Sequence, residues 1–93
     1  MNENLLNDLY KLRDELDPYQ KKSYEAKEIE LKFIKRLIDT RKSNGLSQKE
    51  LAERTGLTQQ AISSIEKCDR KPTLLNLIKY LLGLGIDINS IFN

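Results

Sequence analysis

Two helix starts and one glycine between Ser47 and Lys67 constrain this chain more than any other feature. Ser47-Gln48-Lys49-Glu50 is a capping box: the Ser47 oxygen can accept a backbone N–H while Glu50 reaches back to Ser47. Thr58 is a second N-cap, with Gly56 just before it. Two short helices joined by about three residues meet at a steep angle and cannot lie antiparallel. Ala52 is small where the two would cross closely, and Gly56 supplies the turn. Leu51, Leu57, Ile62 and Ile65 are placed to fill the space between them. These residues specify a helix-turn-helix.

The rest of the chain also reads as helices, with almost no strand signal. Leu5, Leu9, Leu12 and Leu16 recur at helical steps over residues 2–17, a narrow apolar stripe that Pro18 helps to stop. The stretch "DPYQKKSYE" that follows reads as a hinge or short irregular link. From about residue 23 to 42, Ile29, Phe33, Ile34, Leu37 and Ile38 form a broad apolar face, and Asn44-Gly45 ends that helix. Pro72-Thr73 opens another, with Leu74, Leu77, Ile78, Leu81 and Leu82 as its apolar face and Gly83 and Gly85 near its end. Asp87 is placed to cap a last short helix ending in Ile91 and Phe92. The expected class is all-α, with residues 1–25 an acidic amphipathic arm and residues 26–93 a helix-turn-helix domain.

Composition narrows the chemistry. The 93 residues contain no histidine and one cysteine, Cys68. The commonest general base and the commonest zinc ligand are therefore missing, and no intramolecular disulfide can form. Paired catalytic carboxylates and a glycine-rich phosphate loop are also lacking, so neither enzyme activity nor a metal or cofactor is expected. No apolar run approaches the roughly 20 residues that span a bilayer. No membrane partner is expected, and a lone cysteine suits the reducing cytoplasm. Residues 1–25 carry four Lys/Arg against six Asp/Glu, while residues 26–93 carry twelve against eight. An acidic arm on a basic domain points to two different partners.

The second helix of the pair carries the chemistry. A recognition helix presents its N-terminal residues to base edges in the major groove. A glutamine amide donates and accepts at once, matching adenine N6 and N7, so Gln59 and Gln60 are the leading base readers. Ser63 and Ser64, one turn on, are short enough to let the helix lie deep, and each can donate or accept. Gln48 and Thr58 stand at helix starts, where N–H groups and the dipole favour phosphate. Lys49, Lys67, Arg70 and Lys71 add candidate backbone contacts, which position a protein without reading sequence. For Gln60 and Ser63 the plainer alternative is a solvated surface position, and the same holds for Arg70 and Lys71.

The segment "GLSQKELAERTGLTQQAISSIEKCDRKPTLLNLIKYLLGLGI" resembles the DNA-binding domain of the phage repressor and Cro (XRE) family, over roughly residues 37–92. The resemblance rests on Gln48, Ala52, Gly56 and Thr58-Gln59-Gln60. It implies a five-helix lambda-repressor-like domain with an N-terminal helical arm, a structural Arg41–Glu66 pair, and a homodimer on palindromic double-stranded operator DNA. The Gly83-to-Phe92 end is the dimer surface it suggests, although Ile86, Ile88, Ile91 and Phe92 read equally well as core. Cys68 departs from the pattern, which has Gly or Asn there. Either that position takes positive φ, at about 1 kcal/mol relative to Gly, or the loop from Lys67 to Lys71 has another shape.

The arm has three readings: folding back on its own domain, pairing with a second subunit, or holding another protein. Its acidic, leucine-bearing character before a repressor-type domain resembles antitoxins of the HigA type. That resemblance implies a small basic ribonuclease toxin of the HigB/RelE kind as partner, held through Leu5, Leu9, Leu12 and Leu16, together with repression of the chain's own operon. The alternative is a free-standing repressor without a toxin partner.

Overall fold

A computed structural model describes residues 3–15 and 17–92. Among the described residues five α-helices run in order: α1 (Glu3–Glu15), α2 (Pro18–Ser43), α3 (Gln48–Thr55), α4 (Gln59–Lys67) and α5 (Leu74–Gly83), followed by a short 3₁₀ helix, Ile88–Phe92. Among the described residues there is no strand, and the all-α class holds. The chain divides into two compact units, Met1–Lys32 and Phe33–Asn93. The sequence had suggested a boundary at 25/26.

In the first unit, the expected link over residues 17–25 is not a link. α2 begins at once, at Pro18. The Asp17 carboxylate accepts from Gln20 N (2.8 Å), and Asp17 N donates to Gln20 Oε1 (3.3 Å), a reciprocal cap. Proline suits the first helical position because its ring presets φ and its missing N–H would have had no partner there. Pro18 therefore ends one helix and opens the next. Tyr10 Oη donates to Glu28 Oε1 at 3.0 Å, tying α1 to α2 within this unit. Leu6, Leu9 and Leu31 are half-buried, while Leu5 and Ile29 are exposed.

The second unit holds the core: Ile34, Leu37, Leu46, Leu51, Ala52, Ile62, Ile65, Tyr80 and Leu84, with Ile38, Leu57, Leu77 and Leu81 packed against it. Leu51 and Ile62 are fully buried, and burying a side chain of this size contributes about 1.5–3 kcal/mol. The broad face expected on α2 is narrower than its sequence suggested. Ile34 and Leu37 are buried, whereas Phe33 and Ile29 are 40% and 65% exposed. The second of these lies in the first unit. The α5 face differs too. Leu77 and Leu81 pack on the core with Tyr80, but Leu74 and Leu82 remain 73% and 55% exposed. A helix in contact with its neighbours along one side covers only part of its apolar circumference.

Helix ends follow their local chemistry. Past α2, Gly45 takes φ +70°; Gly45 N donates to Lys42 O (2.9 Å) and Leu46 N to Arg41 O (3.1 Å), a Schellman exit. Ser47 Oγ accepts from Glu50 N at 3.0 Å and Glu50 Oε1 from Ser47 N at 3.3 Å, so the expected capping box is present. Gly56 ends α3 in the left-handed conformation, φ +76°. At the far end of the unit, α5 passes very close to α3. A Cβ built on Gly83 would lie 2.5 Å from Thr55 Cγ2 and 2.8 Å from Leu51 Cδ1. Glycine is needed there for space rather than for backbone freedom.

Candidate nucleic-acid interface

The turn between α3 and α4 is Gly56, Leu57 and Thr58. Thr58 Oγ1 accepts from Ala61 N at 3.0 Å, which starts α4. That cap uses the oxygen as an acceptor and leaves the hydroxyl proton to be donated outward. Ile62 and Ile65 then bury one face of α4, with Ala61 half-buried beside them. With that face held inward, Gln59 and Gln60 are exposed on the first turn. Ser63 and Ser64, expected to point outward, are half-buried. Among the expected phosphate contacts, Lys49, Thr58, Lys67, Arg70 and Lys71 are exposed, and Gln48 is half-buried.

Cys68 ends α4 with φ +58° and ψ +26°, and its N–H donates to Ile65 O at 3.3 Å. Of the two alternatives, the chain takes the left-handed position. Among the described residues it is the one non-glycine residue with positive φ.

Behind this surface, a single carboxylate gathers four helices. Arg41 on α2 donates from Nε to Glu66 Oε2 (2.8 Å) and from Nη2 to Oε1 (2.9 Å), a bidentate pair. Its Nη1 donates to Leu46 O at 2.8 Å. Gln48 on α3 donates from Nε2 to Glu66 Oε1 at 3.1 Å, and Tyr80 on α5 donates from Oη to Glu66 Oε2 at 2.7 Å. The Arg41 and Glu66 side chains are 9% and 6% exposed. Burial alone would push the Glu66 carboxyl up. Hydrogen bonds from Arg41, Tyr80 and Gln48, with the Arg41 charge, outweigh it and hold the group below its ordinary value. The hydrogen bond to Glu66 raises Arg41 against the opposing effect of burial. Burial first, then the Glu66 hydrogen bond, raises the Tyr80 phenol. Arg41 and Glu66 are thus both charged at neutral pH.

Sequence reasoning missed Tyr80 and the inward contact of Gln48. A signal for Tyr80 did exist: it is the one aromatic residue in a helix otherwise built on Leu and Ile, and a buried tyrosine needs a partner for its hydroxyl. On the arm, Leu5 is exposed and Leu9 half-buried. Leu16 and the Leu12 side chain lie outside the described residues. Near the C-terminus, Ile86 and Phe92 are exposed and Ile88 is half-buried, while the Ile91 side chain lies outside the described residues. No described helix is long and apolar enough to cross a membrane.

Comparison with known proteins places this geometry in a family. The helix-turn-helix family model matches residues 37–91. The HTH-type transcriptional regulator PuuR of Escherichia coli is 41% identical over 59 residues, 63% of this chain and 32% of that protein. An uncharacterized HTH-type transcriptional regulator of Haemophilus influenzae is 40% identical over 57 residues, 61% of this chain and 58% of the relative. One from Methanothermobacter thermautotrophicus is 43% identical over 53 residues, 56% and 77% respectively. The chain thus spans a third of the first of these relatives and under two thirds of the second. No solved structure gives a significant match. The family match covers more than half of the chain and contains α3, the Gly56 turn, α4 and the carboxylate that ties them, so the protein belongs to the helix-turn-helix family, of the XRE type.

Proposed function

We propose that this chain is a sequence-specific DNA-binding repressor that acts in the cytoplasm as the antitoxin of a type II toxin–antitoxin pair. The observation that carries the DNA reading is the first turn of α4. Gln59 and Gln60 are exposed there while Ile62 and Ile65 anchor the opposite face. Each amide can bond an adenine edge bidentately, which is worth about 1–3 kcal/mol of discrimination. Thr58, Lys49, Lys67, Arg70 and Lys71 surround that turn in the chain and supply backbone contacts. Ser63 and Ser64, half-buried one turn on, are short enough to let the helix lie deep in the groove, where each hydroxyl can donate to or accept from a base. Changing Gln59 and Gln60 together to Ala weakens operator binding and leaves the far-ultraviolet circular dichroism unchanged. Unaltered affinity and selectivity would overturn the base-reading role.

A single reading head covers little DNA, and the expected form is a homodimer on half-sites about 34 Å apart. The outer face of α5 supports this: Leu74, Leu75 and Leu82 are 73%, 60% and 55% exposed, and Phe92 is 79% exposed. Apolar patches of this kind mark interfaces.

The acidic arm, residues 1–25, is the proposed toxin-binding segment, with Leu5, Leu9, Leu12 and Leu16 as its apolar stripe. An acidic amphipathic helix steers a basic ribonuclease toward it. Deleting residues 1–24 abolishes neutralisation of a co-expressed toxin and spares DNA binding. Full capture by the truncated protein would remove the arm assignment. A free-standing repressor is the second reading, favoured by relatives that are named as transcriptional regulators. A small basic reading frame beside the gene decides between the two.

A further inference from the structure

The Glu66 carboxylate does more than hold helices together. It is an acceptor only, with no proton to give when ionised, and its Oε1 takes one N–H from Gln48 Nε2 at 3.1 Å. That bond removes the ambiguity of a terminal amide. The nitrogen of Gln48 must face inward, and its second N–H then projects away from the carboxylate, because the two amide hydrogens diverge. Gln48 is the first residue of α3, beside the exposed Lys49, and is only half-buried. Released from Glu66, the same side chain would sample several rotamers and both amide orientations.

Resting on the DNA-binding reading above, we propose that Glu66 is a positioning residue for DNA. By accepting one N–H of Gln48 it fixes the other as a phosphate donor, without itself touching the nucleic acid. The two oxygens of Glu66 divide the work. Oε1 receives Gln48 and Arg41 Nη2, and Oε2 receives Tyr80 and Arg41 Nε. Loss of the Tyr80 hydroxyl therefore loosens the helices while leaving the Gln48 acceptor in place. A purely structural carboxylate would tie affinity to stability whichever donor is lost, whereas a positioning carboxylate separates them.

The test uses the full chain and a random-sequence DNA duplex, because a phosphate contact is independent of base sequence. Gln48→Met weakens binding at least about tenfold, as expected for a hydrogen bond to a charged group. Its salt dependence matches the wild type, because no cation is lost. Tyr80→Phe lowers the unfolding midpoint and leaves affinity within twofold. Glu66→Met, which removes both acceptor oxygens, weakens binding as much as Gln48→Met does, and adding it to Gln48→Met costs nothing more. Additive losses, wild-type affinity in Gln48→Met, or a tenfold loss in Tyr80→Phe would each overturn the proposal. Should Glu66→Met fail to fold, nuclear magnetic resonance of the Gln48 side-chain amide in the wild type decides. One of its two proton signals shifts on adding the duplex and the other stays; both moving, or neither, would overturn the proposal. Failure of the wild-type chain to bind any duplex would instead refute the DNA reading on which this rests.

Discussion

Replacing Glu66 by Gln probes the whole second unit, and its cost can be worked from the contacts. Four donors converge on the carboxylate, two from Arg41 and one each from Gln48 and Tyr80. An amide retains one oxygen, so the nitrogen that replaces the other faces two donors and repels them. The Arg41 side chain, 9% exposed, is left as a buried charge without its counter-ion. Breaking a buried ion pair from one side costs about 3–5 kcal/mol. Whole domains are stable by only about 5–15 kcal/mol, so the variant is expected near the edge of folding. For a domain of this size each kcal/mol moves the thermal midpoint by about 4–8 °C, and the drop is at least about 12 °C. Tyr80→Phe removes one of the four donors and costs less, about 1–2 kcal/mol. Urea unfolding followed by circular dichroism at neutral pH measures both. Acid adds a second reading of the same group. The folded value for Glu66 lies below its ordinary 4.5, so its stabilisation is fully present above 4.5 and is lost as pH falls through the lowered folded value. The wild type therefore loses stability in that acid range, and Glu66→Gln loses less there because its charge is already gone. A Glu66→Gln penalty under about 1 kcal/mol, or acid sensitivity equal to the wild type, would refute the account of the network.

Three further outcomes are expected. Cys68→Gly raises stability by about 1 kcal/mol in thermal melts, because only glycine takes the left-handed φ of +58° without a Cβ penalty. Gly83→Ala lowers stability by about 1–3 kcal/mol in the same assay, since its methyl would press on Thr55 Cγ2 and Leu51 Cδ1 in a packed interior. Lys49→Ala reduces the slope of log affinity against log salt on duplex DNA by about 0.9 and leaves sequence preference unchanged.

What the amino-acid order determined by itself was local. Ser47 with Glu50, Thr58, Gly45 and Gly56 act on backbone groups within a few residues, so helix ends and the turn between α3 and α4 could be read directly. Asp17 with Gln20 was equally local and equally legible, yet Pro18 drew attention as a stop and hid its second role as a start. Gln59 and Gln60 were readable as outward because Ile62 and Ile65 set the helix phase.

Contacts between elements were not legible in this way. Apolar periodicity marks a stripe but not how much of it a neighbour covers, so the apolar faces of α2 and α5 include Ile29, Phe33, Leu74 and Leu82 although these are exposed. Nothing in its own surroundings shows that Gly83 is needed for space, because the atoms that demand it sit on Thr55 and Leu51. Four donors from three residues, Arg41, Gln48 and Tyr80, meet at Glu66 only once α2, α3, α4 and α5 are packed. Hydrogen bonding at a buried carboxylate depends on positions in space, and only the tertiary structure decided that Tyr80 and Gln48 would join Arg41 there.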